Sequence, residues 1–313
     1  MRRLVPLVPF VLGVLLLAGC GGYADTVVPE PEASSAGPAA PVTTEPCEDD
    51  GSQRRSYDPA DGTIDGPAVQ RIRARGKLVA GVAADTYLLG ARNARTGVIE
   101  GFDIDMVNAI AAKIFGSAKG HVELKVITAS NRIPFLQDGT IDIVSRNMTV
   151  NCTRWQQIAF SEIYYDAGQK VLVGADSDAT SIDALSGKKV CAPASTTTLT
   201  RLQDEFPNVE AVSAATHTEC LVLFQQGKVD AITGDDTILA GFAAQDPYAK
   251  VVGEPISAEP YGLGMPADKV ELVQFVNGVL DRMRSDGTWT SLYTKWLSVL
   301  GPAPAPPVPV YGR

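Results

Sequence analysis

The chain predicts an α/β architecture of mostly parallel strands. Short apolar runs alternate with helix-patterned segments between residues 67 and 300, the order that builds parallel sheets covered by helices. Hydrophobic residues make up 45% of the chain, enough for a substantial core. Roughly 240 residues lie between two core-poor tails, which is room for two lobes of ordinary size.

The first segment is read as a removable leader. Met1-Arg2-Arg3 is followed by an uncharged, mostly apolar run from Leu4 to Gly19, the layout of a secretory signal over residues 1–19. Pro6 and Pro9 interrupt the run, and about sixteen residues are short for roughly 30 Å of hydrocarbon. The run ends in Leu17-Ala18-Gly19-Cys20. Small residues before a cysteine fit a peptidase cleft and leave a thiol for diacylglycerol, and these four residues resemble the lipobox of bacterial lipoproteins. The expectation is cleavage before Cys20, lipidation with palmitate-type chains, and residence on the extracytoplasmic face of the cell membrane. Residues 20–66 are read as the lipidated cysteine and a flexible tether, since 21–46 are rich in Pro, Ala, Ser, Thr and Glu and 47–66 in Asp, Gly and Ser.

The body then follows in order. Val69 to Arg75 is patterned as a helix, Lys77 to Ala83 as a strand, and Gly101-Phe-Asp-Ile-Asp105 opens a helix with apolar Ile104, Val107, Ile110, Ala111 and Ile114 on one face. Val122 to Ile127 alternates as a strand, Arg132 to Gln137 forms a helix closed by Asp138-Gly139, and Ile141 to Ser145 is a strand. Strands at Lys188–Ala192, Val209–Val212 and Val229–Thr233 alternate with helices at Thr197–Phe206, Glu219–Gln226 and Thr237–Gln245. Helices at Val270–Ser285 and Trp289–Leu300 close the body, and residues 301–313 form a Pro-rich tail with no helix or strand option.

Charge and cysteines narrow the function. The formal net charge is −9, and losing Arg2 and Arg3 with a leader makes it more negative, so nucleic acid is excluded as a partner. His121 and His217 are far apart and lack neighbouring ligands, so no metal and no cofactor is expected, and no histidine is expected in a ligand cleft. Beyond Cys20 four cysteines remain, an even number suited to two disulfides in an oxidising compartment. Three pairings are open. Cys191 with Cys220 is favoured because both flank elements of one lobe, leaving Cys47 with Cys152.

Three loops at strand ends carry recognition chemistry. Ser145 to Arg154 offers Thr149, with a hydroxyl and an amide, and then Arg154, whose fork matches a carboxylate. Ala192 to Leu199 puts Ser195, Thr196 or Thr197 at a helix N-terminus, an anion site or a plain cap. Asp230 to Thr237 supplies Asp235 or Asp236 for an ammonium group or for capping. An arginine, a helix N-terminus and an acid complement an acidic amino acid or its amide.

From about Gly76 to Trp296 the chain resembles the type 2 periplasmic binding proteins for polar amino acids, the solute receptors of ABC importers, and among them the glutamine/glutamate-binding lipoproteins of the GlnH kind. The likeness rests on Gly101-Phe-Asp-Ile-Asp105, the Asn-Met-Thr…Arg loop, Gly227-Lys-Val-Asp-Ala231 with its downstream Asp-Asp, and Asp286-Gly-Thr-Trp…Lys295-Trp296. The resemblance implies a two-lobed type 2 periplasmic-binding-protein fold with a two-crossing hinge near Gln169–Val173 and Ala258–Met265. Lobe 1 takes residues 67–172 plus 258–300 and lobe 2 takes 173–257. It implies that Arg154 and the Thr149 amide hold an α-carboxylate, that Asn147, the Thr149 hydroxyl and Asp235 hold the ammonium, and that Thr196 and Thr197 present helix amides. Tyr87 lies near an aromatic wall, and Arg146 with Arg132 adds positive charge. The implied protein is a monomer that binds glutamate, aspartate, glutamine or asparagine and serves an ABC permease or a membrane sensor protein. Enzymes on this fold need an acid or base in the cleft, and none is expected here.

Overall fold

The computed structural model describes residues 48–60 and 65–313. The leader, Cys20 with its expected lipid, and Cys47 lie outside the described residues. The first body helix, α1 (Pro67–Arg75), has proline in its first turn, where no amide partner is lost, and ends at Gly76 with φ 78°. Strand β1 (Leu78–Val82) is buried throughout. Three short strands, β2 (Asp85–Thr86), β3 (Gly90–Arg92) and β4 (Ile99–Glu100), make a small antiparallel sheet. Helix α2 (Phe102–Phe115) buries the expected Ile104, Val107, Ile110, Ala111 and Ile114. Gly101 precedes it with φ 147°, and a Cβ there would stand 2.2 Å from the Leu89 carbonyl oxygen, so only glycine fits.

Strand β5 (Val122–Val126), helix α3 (Arg132–Gln137), strand β6 (Ile143–Val144) and the single turn α4 (Cys152–Trp155) follow. Next comes β7 (Ile158–Gly174), then β8 (Lys189–Pro193), α5 (Thr197–Glu205), β9 (Glu210–Ala214), α6 (His217–Gln225), β10 (Ala231–Asp235) and α7 (Asp236–Gln245). Strand β11 (Ala249–Pro266), α8 (Val270–Ser285) and α9 (Thr288–Trp296) complete the body.

One eight-stranded sheet holds the order β5-β1-β6-β11-β7-β10-β8-β9. Its flanks are parallel, as expected, but its centre is antiparallel: β7 and β11 pair along most of their length, from Ala249↔Gly174 to Pro266↔Ile158. These strands of 17 and 18 residues were not foreseen as strands. Gly, Pro and register shifts, one between Val252 and Ser257, break the alternation that marks a strand in sequence. On one side of the ribbon Leu136, Val144, Met148 and Phe160 pack under α3. On the other Val171, Val190, Leu202 and Ala231 pack under α5.

Two distant motifs meet at the back of α2. Asp105 accepts hydrogen bonds from Lys295 Nζ at 2.8 Å and Trp296 Nε1 at 2.7 Å. The expected Cys191–Cys220 bridge is present and joins β8 to α6. Cys152 is disulfide-bonded as well.

Both tails differ from expectation. Residues 49–60, placed in the flexible tether, pack on the body: Ser56 is buried, donates to the Phe160 carbonyl at 2.9 Å, and accepts from Asn277 Nδ2 at 2.9 Å. The Pro-rich tail is pinned too, with Val310 bridged to Arg55 in a parallel pair. Composition missed both because scattered hydrogen bonds, the Arg54–Asp166 ion pair and Arg313 stacked on Trp155 hold them, and those leave no apolar pattern.

The Cys191–Cys220 bridge closes a loop with a sequence separation of 29. The double variant Cys191→Ala/Cys220→Ala is expected to lose about 3 to 4 kcal/mol of stability in the loop-entropy account, read as a lower denaturant midpoint, with a steeper slope as the unfolded chain expands.

Candidate functional site

The carboxyl ends of β1, β5 and β6 on one half of the sheet face those of β8 and β10 on the other, where open α/β sheets bind ligands. A small, nearly filled pocket lies between them, lined by Arg132, Asn147, Thr149, Arg154, Thr196, Thr197, Thr198, His217 and Asp235. Six residues singled out in sequence therefore converge: Asn147, Thr149, Arg154, Thr196, Thr197 and Asp235. Arg132 joins them.

The loop after β6 delivers the first group. Asn147 sits at φ 37°, a left-handed conformation that asparagine tolerates, and Asp103 from α2 fixes it by accepting its amide at 2.9 Å. Ser145 Oγ reaches the Asp103 carbonyl at 2.9 Å. Arg154 extends back from α4, donating from Nη1 to the Thr149 carbonyl at 2.6 Å. Burial lowers its pKa, against the pull of the Glu259 and Asp235 carboxylates.

Arg132, at the start of α3, is buried and bonds only backbone carbonyls: Ala129 at 3.1 Å, Arg146 at 3.3 Å, Asn147 at 3.5 Å and Ser195 at 3.2 Å. Burial, then Arg154 and Arg146, hold its pKa well below the usual guanidinium range. Among the described residues neither Arg132 nor Arg154 is in an ion pair.

The opposite wall is built by β8, α5, α6 and β10. Thr196 caps α5, accepting the Leu199 amide at 3.2 Å and donating to the Pro193 carbonyl at 2.6 Å, so the plain-cap reading holds for its hydroxyl. The free first-turn amides at Thr197 and Thr198 still give that end of α5 a positive dipole. Ser195 before them has φ 59°, one of three non-glycine residues with positive φ among the described residues. Asp235 is the N-cap residue of α7 yet makes no cap bond; Asp236 accepts the Thr237 amide instead. The Tyr261 hydroxyl donates to Asp235 Oδ2 at 2.6 Å, while Asp235 Oδ1 is buried without a partner. Burial, then the Glu259 charge, raises its pKa well above the usual carboxylate range.

Glu259 is a central residue that the sequence reading missed. It is buried on β11, and its Oε2 accepts from both Thr149 Oγ1 and Thr197 Oγ1 at 2.7 Å. An acid inside the apolar crossing segment Ala258–Met265 is the signal that marked it. The expectation of a cleft without histidine is corrected: His217, the first residue of α6, lines the pocket with Nε2 buried and unpartnered. Burial, then Arg146 and Arg132, lowers its pKa to about 3, so it is neutral at ordinary pH. Two expected residues stay outside. Arg146 is buried but donates from Nε to the Ile127 carbonyl at 2.9 Å, and Tyr87 is exposed and does not line the pocket.

The two walls touch directly. Ser130 Oγ meets Ser195 Oγ at 3.1 Å, Thr149 Oγ1 meets Thr197 Oγ1 at 3.3 Å, and Thr218 Oγ1 donates to the Asp85 carbonyl at 3.0 Å. The arrangement pairs two unpaired buried cations with one unsatisfied buried carboxylate oxygen, which suits a ligand carrying both signs of charge.

Comparison with known proteins agrees with this geometry. Residues 78–299 match the pattern of the bacterial extracellular solute-binding proteins, family 3. The chain is 35% identical over 227 residues to the ABC transporter glutamine-binding protein GlnH of Bacillus subtilis strain 168, covering 72% of this chain and 83% of that one. It is 30% identical over 232 residues to the glutamate-binding protein GluB of Corynebacterium glutamicum, covering 70% and 78%. The solved structure of the ancestral amino-acid-binding protein AncCDT-1, described as a precursor of cyclohexadienyl dehydratase, superposes with a TM-score of 0.67 at 31% identity, covering 73% and 98%.

The Asp103 support gives a pH test. Burial raises its pKa from 3.8 to about 6, outweighing the Tyr164 hydroxyl and Asn147 amide that favour its charge. Between these values the folded chain holds a proton that the unfolded chain has lost, so this group's contribution to stability falls as pH rises. Relative to Asp103→Asn, the native chain should lose about 2 kcal/mol of stability from pH 4 to pH 7, measured by denaturant unfolding at both pH values.

Proposed function

Because the chain belongs to the bacterial extracellular solute-binding proteins, family 3, we propose that it is an extracytoplasmic receptor that closes two lobes on an acidic amino acid and delivers it to the permease of an ABC importer. One observation carries the choice of ligand: Arg132 and Arg154 are buried in one pocket with Asp235, and neither has an anionic partner among the described residues. A buried cation bonded only to carbonyls is stabilised strongly by a carboxylate. The α-carboxylate of the ligand meets Arg154 and the Thr149 amide, with the α5 N-terminus opposite. Its ammonium meets Asp235 Oδ1 and the Asn147 carbonyl. The distal carboxylate of glutamate or aspartate then neutralises Arg132, a role that an amide fills less well. The printed names of the two relatives, glutamine-binding and glutamate-binding, support a ligand of this shape.

The lobes of this reading are residues 67–172 with 258–300, and 173–257, hinged on the β7–β11 ribbon. No bond is made or broken. The ionisable groups in the pocket are arranged to pair charges, and His217 is held neutral rather than tuned near pH 7, where a general base operates best. Lipidation of Cys20 fits a receptor kept beside its permease. Co-purification of an ABC permease supports delivery for uptake, and recovery of a signalling receptor in its place supports sensing.

A thermal-shift screen against the twenty amino acids tests the reading. Glutamate or aspartate at 1,000 times its Kd should stabilise the chain by about 4 kcal/mol; a flat response from ligand-free folded protein removes the amino-acid assignment. Arg132→Gln should weaken L-glutamate about a hundredfold and L-glutamine at most about threefold by calorimetry, the scale of a buried charge left unpaired. Equal losses for both ligands would overturn the preference for the acid. Cys20→Ala should move the protein from the membrane fraction to the medium.

A further inference from the structure

Residues 49–57 and 310–313 lie outside the span that matches the family, residues 78–299, yet they converge on α4, the turn that carries Arg154. Asp49 Oδ1 accepts the Cys152 amide at 2.7 Å, and Trp155 Nε1 donates to the Gln53 carbonyl at 2.8 Å. The Arg313 guanidinium stacks 3.8 Å from the centre of the Trp155 ring, and Tyr57 meets that ring edge-on at 6.2 Å. The two segments hold each other. The Ser56 amide donates to the Val310 carbonyl at 2.8 Å, the Arg313 amide to Ser56 at 3.2 Å, and Arg313 Nε to the Arg55 carbonyl at 3.1 Å.

A four-residue turn has too few internal hydrogen bonds to hold its own orientation. The disulfide of Cys152 ties the first residue of α4, and within the family-matching span the rest of the turn is held by the Asn151 cap and by Trp155 packing on Phe160. We propose that the two added segments form a clasp on α4 that positions Arg154 for its anionic ligand, with Arg313 and Trp155 as the positioning residues. The proposal rests on the reading that Arg154 meets the ligand's α-carboxylate. Clamping the turn before the ligand arrives removes an ordering cost from binding, so the clasp acts on affinity through residues that never touch the ligand.

The test uses the intact chain carrying Arg313→Ala, Arg313→Lys, or Arg154→Lys alone and combined with Arg313→Ala. Two quantities are measured: the Kd for L-glutamate, and amide hydrogen exchange across residues 152–157 without ligand. Arg313→Ala should weaken L-glutamate roughly three- to tenfold and speed exchange in α4 by a similar factor, the scale of one cation–π contact. Arg313→Lys, which keeps a cation over the ring, should restore both. In the Arg154→Lys background Arg313→Ala should add no further loss of affinity, because the group it positions is gone. Unchanged exchange in α4, the same loss of affinity in both backgrounds, or faster exchange spread evenly over the chain overturns the proposal. If Arg154→Lys leaves the Kd unchanged, the assignment of Arg154 to the α-carboxylate fails separately, and exchange in α4 alone then decides whether the clasp holds the turn.

Discussion

The antiparallel ribbon of β7 and β11 is the constraint on which the rest of the molecule depends. Each strand starts in one half of the sheet and ends in the other, so every other strand is placed relative to this pair. It sets which strand ends face each other across the cleft. It also carries Glu259 and Tyr261, side chains that reach directly to the pocket walls. A ribbon of two long strands is stiff along its length and compliant in twist, most of all where the register shifts between Val252 and Ser257. Such an element can hold two walls in register and still let them swing.

The pocket is a problem in charge balance. Arg132, Arg154 and Asp235 are each buried, and burial acts on all three by disfavouring the charged form. The protein spreads that cost through neutral partners: carbonyls for the arginines and the Tyr261 hydroxyl for the aspartate. Each of these leaves bonding capacity unused, visible as the orphaned Asp235 Oδ1. A zwitterion brings an anionic group to the arginines, which have carbonyl partners alone, and a cationic group to the orphaned Asp235 oxygen, while the Glu259 carboxylate stays on Thr149, Thr197 and Ser257.

Much of this was legible in the sequence, and the limits were physical. The parallel strands and their helices show clear periodicity, and each places a loop residue at its carboxyl end, so Asn147, Thr149, Arg154, Thr196, Thr197 and Asp235 could be named in advance. The Arg146 side chain could not be placed, because two adjacent residues of an irregular loop turn to opposite sides and only packing decides which. Tyr87 failed for a similar reason: the next residue, Leu88, adopts φ 74° and takes the buried position instead. The ribbon was hidden because its partners are some ninety residues apart and its pattern is broken by glycine and proline. His217 was overlooked because a lone histidine carries no periodic signature.

The shared acceptor Glu259 Oε2 has a consequence for how tightly any ligand is held. It takes one hydroxyl from each wall, Thr149 and Thr197, so the walls cannot separate without breaking one of these bonds and exposing the carboxylate to water. On the proposed hinge closure, the ratio of shut to open ligand-free protein is set partly by these two threonines. Only part of that population is ready to bind, and the apparent affinity is the intrinsic affinity scaled by that fraction. Selection can tune such a receptor to scarce or plentiful supply by adjusting this latch, leaving the chemistry that recognises the solute untouched.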